Sequence, residues 1–269
     1  MHERILVPVD GSPRSKEILP YATAIAGAMG AELALLRAVR HESERPAAQS
    51  DIDALAAANA AAAATVVLAD EPSAAILAEA GRQPRTLVAM STQGRGGLME
   101  AILGSVAWSV VRASAEPVLL YRPRGPATGP RRPVDLRTIV LPVDGHPESE
   151  TMAPQAAALA KALDADLEVV QVILPGTRRF PTVEGYGNRE SAWVESRADE
   201  FREKHGARTR WTLLHGDPVD ALRRHVGERR DVMLAMATRA HRPLQEFVLG
   251  SVTSGCLRTT GVPILTRRP

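Results

Sequence analysis

The feature that most constrains this chain is that it is written twice. The segment "RILVPVDGSPRS" (Arg4 to Ser15) is echoed by "TIVLPVDGHPES" (Thr138 to Ser149), with Asp10 answered by Asp144, 134 residues on. Towards the end of each copy, Gly104-Ser105 is answered by Gly250-Ser251, 146 residues on. The second copy is therefore about twelve residues longer. Because "DEPSAAIL" at Asp70 and "GDPVDAL" at Gly216 already share the larger offset, the extra residues fall upstream, in "LPGTRRFPTVEGYGN" (Leu174 to Asn188). A fixed internal period marks a duplicated structural unit, and the fold must be read per copy. The Pro, Gly and Arg run "RPRGPATGPRRP" (Arg122 to Pro133) has the composition of a linker. The expected organisation is one domain over 1–123, a linker over 124–134 and a second domain over 135–269.

Each copy alternates short β-rich runs with helical patterns, which predicts a parallel sheet with crossover helices. The strands of the first copy read "RILVPV", "ELALLRAV", "TVVLA", "TLVAMS" and "PVLLYR". Those of the second read "TIVLPV", "DLEVVQVI", "RTRWTLL", "VMLAMAT" and "VPILTR". Near-continuous apolar runs of this kind belong to strands buried on both faces. The fold class is α/β, with two tandem open parallel five-stranded sheets and helices on both faces. The first helix is expected after "DG", with Ser12 as its N-cap, Pro13 at its first position and Gly30 as its terminator. Ile18, Ala22, Ile25 and Met29 form its apolar stripe, and Pro20 is placed to kink it.

Composition removes several function classes. The chain has 269 residues and 45% hydrophobic content, enough to bury cores. Its net charge is only +2, and Lys16, Lys161 and Lys204 are the only lysines among 33 basic residues. An arginine bias with nearly matched acids is a poor nucleic-acid footprint, and 3% aromatics leave little for base stacking. The one cysteine, Cys256, excludes an internal disulfide and a thiolate zinc site, and reads as a packed small hydrophobe. The histidines show no i, i+4 pair, so no metal site is expected. The opening "MHERILVPVDGS" lacks an apolar h-region, and no run approaches eighteen apolar residues. The expectation is a soluble, cytoplasmic protein without membrane or nucleic-acid partners.

The candidate chemistry lies where strands end. In open parallel sheets, ligands sit beyond the carboxyl ends of the strands. Asp10 and Asp144 stand there, able to accept from ribose hydroxyls and equally able to cap the following helix, since Asp-Gly-Ser is common turn chemistry. After the fourth strand, "QGRGG" supplies Gly94, Gly96 and Gly97, which let backbone N–H groups approach an anion. Gly104 and Ser105 then open a predicted helix whose unpaired N–H groups and dipole favour phosphate.

On these residues the chain resembles the universal stress protein family, as a tandem two-domain member. The family's nucleotide-binding form carries G-x2-G-x9-G-[ST] after the fourth strand. The first copy reads Ser91-x2-Gly94-x9-Gly104-Ser105, with serine in place of the opening glycine. The resemblance implies a Rossmann-like fold of the adenine nucleotide alpha hydrolase kind and an adenine nucleotide ligand, usually ATP. It places Pro8, Val9, Asp10, Ala38 and Met90 on the adenosine side. Ser91, Gly94, Gly104, Ser105 and Val106 border the phosphates, and Mg²⁺ is compatible with such a ligand.

The second copy reads Ala237-x2-Ala240-x9-Gly250-Ser251, so both loop glycines are alanine. If the loop needs positive φ there, alanine costs about 1–2 kcal/mol, which weakens or reroutes binding. Pro142, Val143, Asp144, Val172 and Met236 keep the adenosine-side positions, and Val252 follows the Gly-Ser pair. Arg239, His241 and Arg242 can add charge.

Neither loop carries a lysine to stabilise a transferring phosphoryl group, and no Walker motif or nucleophile elbow is present, so rapid ATP hydrolysis is not expected. Three readings stand: a nucleotide-binding regulatory module, a nucleotide-free interaction scaffold that recruits a partner protein, and a slow ATPase. The resemblance also implies that the fifth strands, "PVLLYR" and "VPILTR", meet edge to edge, with the two halves pairing internally and a homodimer as a further assembly.

Overall fold

The computed structural model describes residues 2–92, 103–123, 134–174, 187–237 and 249–267, with side chains from 191 in the helix that opens at Gly187. The chain divides into two compact units, Met1–Asp135 together with Pro263–Arg268, and Leu136–Val262.

In the first unit, β1 (Arg4–Pro8), β2 (Glu32–Val39), β3 (Ala63–Leu68), β4 (Thr86–Ser91) and β5 (Val118–Tyr121) lie in the order β3-β2-β1-β4-β5. All are parallel, with Val7 opposite Leu35, Leu6 opposite Val88 and Ala89 opposite Leu119. Helices α1 (Leu19–Met29), α2 (Arg45–Ala58), α3 (Pro72–Gly81) and α4 (Ser105–Ala113) alternate with them. The sequence order reverses at β1, which has β2 on one side and β4 on the other, so the crevice beyond its carboxyl end is where such a sheet takes a ligand. Central β4 is buried along its whole length, as its apolar run predicted.

The α/β class and its parallel strands are as read from the sequence. The last strand, β10 (Ile264–Arg267), pairs antiparallel with β5, Leu265 opposite Leu119, and lies with the first unit. That unit therefore holds six strands. The short, buried β5 would otherwise present a bare edge.

The second unit repeats the scheme with β6 (Thr138–Val143), β7 (Asp166–Ile173), β8 (Thr209–His215) and β9 (Val232–Ala237) in the order β9-β6-β7-β8, all parallel. Its helices are α5 (Ala153–Ala162), α6 (Gly187–His205), α7 (Pro218–Val226) and α8 (Ser251–Thr259). Among the described residues, no helix is long and apolar enough to cross a membrane.

One sequence expectation fails locally. The first helix does not start at Ser12–Pro13; a 3-10 turn over Ser15–Ile18 precedes α1, which begins at Leu19. Ser12 and Ser15 are occupied by the turn after Asp10, where Ser15 N donates to Ser12 Oγ at 3.2 Å and Ser15 Oγ to Ser12 O at 2.9 Å. Pro20 accordingly sits in the first turn of α1, where its missing N–H costs nothing, and not in the helix interior where it was placed to kink it. Gly30 ends the helix as expected, at φ 61°.

The opposite ends of the strands carry charge in both units. In the first, Arg4 on β1 pairs with Glu79 of α3 at 2.8 Å, both buried. In the second, Thr138 stands at the position equivalent to Arg4 and His225 at that of Glu79, so the pair is lost. Glu168 of β7 takes its place, 2% exposed. Its carboxylate accepts from Thr212 Oγ1 at 2.6 Å and Arg210 Nη2 at 3.0 Å, and lies 3.0 Å from His225 Nε2. Burial pushes this carboxyl up, but the contacts with His225, Thr212 and Arg210 prevail and hold it at about 2.

Candidate functional site

The turn that follows the first strand of each unit is built twice from the same contacts. In the first, Asp10 Oδ1 accepts from Ser12 N at 2.8 Å and Asp10 N donates to Ser15 Oγ at 3.3 Å. In the second, Asp144 Oδ1 accepts from His146 N at 3.0 Å and Asp144 N donates to Ser149 Oγ at 3.2 Å. Gly11 and Gly145 turn the chain at φ 84° and 85°, a conformation that favours glycine. Each aspartate thus holds its turn and is not the N-cap expected from sequence: the helical turns that follow have Arg14 and His146 as their N-caps.

In the first unit this turn faces a cavity of about 620 Å³, within the range of small-molecule sites. Pro8, Val9, Asp10, Ala38, Met90, Ser91, Gly104, Ser105 and Val106 all line it. Gly94, Gly96 and Gly97 lie outside the described residues. Sequence reasoning missed the rest of the lining. Leu36 and Val39 of β2, Ala69 after β3, and Pro72 and Ile76 of α3 complete an apolar wall. Ser15, Thr92 and Ala107 add to the end nearer β1 and α4, and Arg40 and Glu44 add charge. Thr92 and Ala107 adjoin residues already named, so adjacency is their signal; Pro72 and Ile76 lie in "DEPSAAIL", whose signal in the sequence is the repeat offset alone.

Helix α4 starts against this cavity with Gly104 as N-cap and no side-chain cap. Its first intrahelical bond runs from Trp108 N to Gly104 O, 2.9 Å. The amides of Ser105, Val106 and Ala107 therefore have no acceptor within the helix, and all three residues line the cavity. The Gly104 amide is spent on Thr92 O at 3.0 Å, which ties the helix start to the end of β4. α3 also begins at the cavity, through Pro72, and its N-cap Glu71 offers no side-chain cap. Two helix starts without a side-chain cap hydrogen bond thus meet the cavity, and amides at such a start suit an anion.

These folds and spacings are those of one family, whose sequence profile matches residues 1–122 and again 135–268. The chain belongs to the universal stress protein family. Universal stress protein MJ0531 of Methanocaldococcus jannaschii is similar to it, 22% identical over 136 residues that span 48% of this chain and 80% of that protein. A universal stress protein from Archaeoglobus fulgidus matches in structure with a TM-score of 0.70 at 18% identity, covering 100% of this chain and 99% of that one. The functionally unknown protein PA1789 of Pseudomonas aeruginosa matches at 0.70 and 19%, covering 100% and 93%. At such identities the structural likeness speaks for the fold alone.

The second half of this tandem universal stress protein keeps the frame and changes the chemistry. Pro142 and Val143 end β6 beside Asp144, Val172 lies near the end of β7, and Met236 and Ala237 end β9. Gly250 is the N-cap of α8, Ser251 and Val252 open it, and Thr253 Oγ1 donates to Ala237 O at 3.2 Å, joining helix start to strand end. Ala240, with Arg239, His241 and Arg242, lies outside the described residues. One difference is plain. Asp217, at the position equivalent to Glu71, caps α7 by accepting from Val219 N and Asp220 N at 3.0 and 3.1 Å. A carboxylate of the chain itself thus fills the helix start that α3 leaves uncapped.

Cys256 of α8 is fully buried, and burial pushes its thiol up to about 12, consistent with packing rather than reactivity. The linker run 124–133 and most of the extra segment, 175–186, lie outside the described residues.

Proposed function

We propose that the first unit binds an adenine nucleotide, ATP foremost, and that occupancy regulates a stress response through the surface around the site. The observation that carries this reading is the start of α4. Three backbone amides without an intrahelical acceptor line a 620 Å³ cavity that also contains Asp10 and an apolar wall from β2 and α3. Phosphate oxygens match the amides, ribose hydroxyls match the aspartate, and the flat base matches Leu36, Val39 and Ile76. Arg40 supplies a cation at the rim, and Mg²⁺ would arrive with the phosphates.

The second unit is the weaker binder on this reading, because the Asp217 side chain already takes up the Val219 and Asp220 amides at the α7 start. The test is direct. Purified protein is unfolded and the released small molecule identified and counted by mass spectrometry, and ATP is titrated calorimetrically with and without Mg²⁺. About one adenine nucleotide per chain, lost in Gly104→Val, supports the proposal. Absence of any nucleotide from the preparation together with no heat of binding refutes it and leaves the scaffold reading.

A further inference from the structure

Two hydroxyls in the first cavity have no hydrogen-bond partner among the described residues. Ser91 is 9% exposed and Thr92 3% exposed, and both line the cavity. Ser91 Oγ and Thr92 Oγ1 are each closed to water and have no hydrogen-bond partner. A buried hydroxyl left so costs about 1–3 kcal/mol, and at the wall of a cavity a bound ligand is the partner that would recover it.

The backbone around Thr92 is fully committed. Its N–H donates to Tyr121 O at 2.9 Å and its carbonyl accepts from Gly104 N at 3.0 Å. It is held between β5 and the start of α4 by both peptide groups, and only its side chain remains to be satisfied. Ser91 is paired in the sheet opposite Tyr121. The two hydroxyls are therefore carried on a rigid platform beside the amides of Ser105, Val106 and Ala107, which is how a preorganised anion site is assembled.

We propose that Ser91 and Thr92 are ligand-reading residues that donate to the phosphate oxygens of the bound nucleotide, each reaching it by rotation about χ1. The inference rests on the nucleotide reading above. It makes the affinity for phosphorylated ligands, and not for the nucleoside, depend on these two hydroxyls. It also predicts that they are kept at the expense of stability in the ligand-free protein.

The full chain is compared as wild type, Thr92→Val, Thr92→Ser and Ser91→Ala. Dissociation constants for ATP, ADP and adenosine are measured by calorimetry, and the thermal midpoint is measured without ligand. A hydrogen bond to a charged oxygen is worth about 10- to 100-fold in affinity. Thr92→Val and Ser91→Ala should each weaken ATP and ADP by at least about 10-fold while leaving adenosine unchanged. Both should melt at or above the wild-type temperature without ligand, and Thr92→Ser should restore affinity. Unchanged ATP affinity in both hydroxyl-free variants of a wild type that does bind overturns this inference and spares the nucleotide reading. Equal losses for adenosine also overturn it, since the contact would then not be to phosphate. A lowered melting point in Thr92→Val assigns that hydroxyl to the fold and overturns its part, with Ser91→Ala deciding the other. If the wild type binds none of the three ligands, the nucleotide reading itself falls and this inference with it.

Discussion

The Thr92 carbonyl oxygen accepts the Gly104 amide at 3.0 Å, and a Cβ added to Gly104 would sit 3.1 Å from that same oxygen. The glycine is demanded by proximity, since its φ of −62° is open to any residue. Thr92 has little room to yield because its own N–H is fixed to Tyr121. Gly104→Ala should therefore destabilise the protein by about 1 kcal/mol, and Gly104→Val by about 2–3 kcal/mol. Thermal unfolding checks both values, and nucleotide affinity should fall in the same order.

Val219 and Gly255 show a tighter approach in the second unit. A Cβ at 255 would lie 2.5 Å from Val219 Cγ2 and 3.0 Å from its Cγ1. Gly255→Ala should cost about 1–3 kcal/mol, more than helix propensity returns. Val219→Ala should recover much of that loss in the double variant, a coupling that denaturant titration of the four proteins measures.

Glu168 should shape the acid limb of stability. Its folded carboxyl is held at about 2, below its ordinary 4.5, so its contribution is complete above about pH 4.5 and is lost as pH falls towards about 2. Glu168→Gln should lower stability near neutrality by about 2–3 kcal/mol, because Arg210 and Thr212 lose a charged acceptor. The variant should also show a shallower decline between pH 4.5 and 2 when unfolding free energy is plotted against pH.

Cys256 should be silent in the native protein. Its thiol is buried and pushed up to about 12, so a disulfide reagent at pH 8 should label it only when the second unit opens. Complete labelling in denaturant and a native rate that rises with denaturant would bear this out. Rapid native labelling would contradict it.

Much of this fold could be read directly. The runs 32–39, 86–91, 138–143 and 166–173 are strands with the bounds that their apolar residues suggested, because a strand buried on both faces has an almost unbroken hydrophobic signature. The start of α1 was not legible, because Asp10, Ser12 and Ser15 bond to one another and so delay the helix that Ser12 would otherwise cap. The cavity was legible at its strand ends and at Gly104-Ser105, where spacing carries the information. Arg40, Glu44, Ala69 and Ile76 come to it from segments far apart in sequence, and only the packing of β2, β3 and α3 brings them together. The unpartnered state of Thr92 could not be foreseen, since it depends on which neighbours fail to reach it.

The antiparallel seat of Ile264–Arg267 beside Val118–Tyr121 has a consequence for how the polypeptide is made. The ribosome emits the sixth strand of the first unit some 140 residues after the fifth. During that interval the nascent chain must keep the outer flank of Val118–Tyr121 from recruiting a stranger. A stop codon before Pro263 would leave that flank permanently uncovered, so Ile264–Arg267 are guardians against misassembly for a unit made long before them.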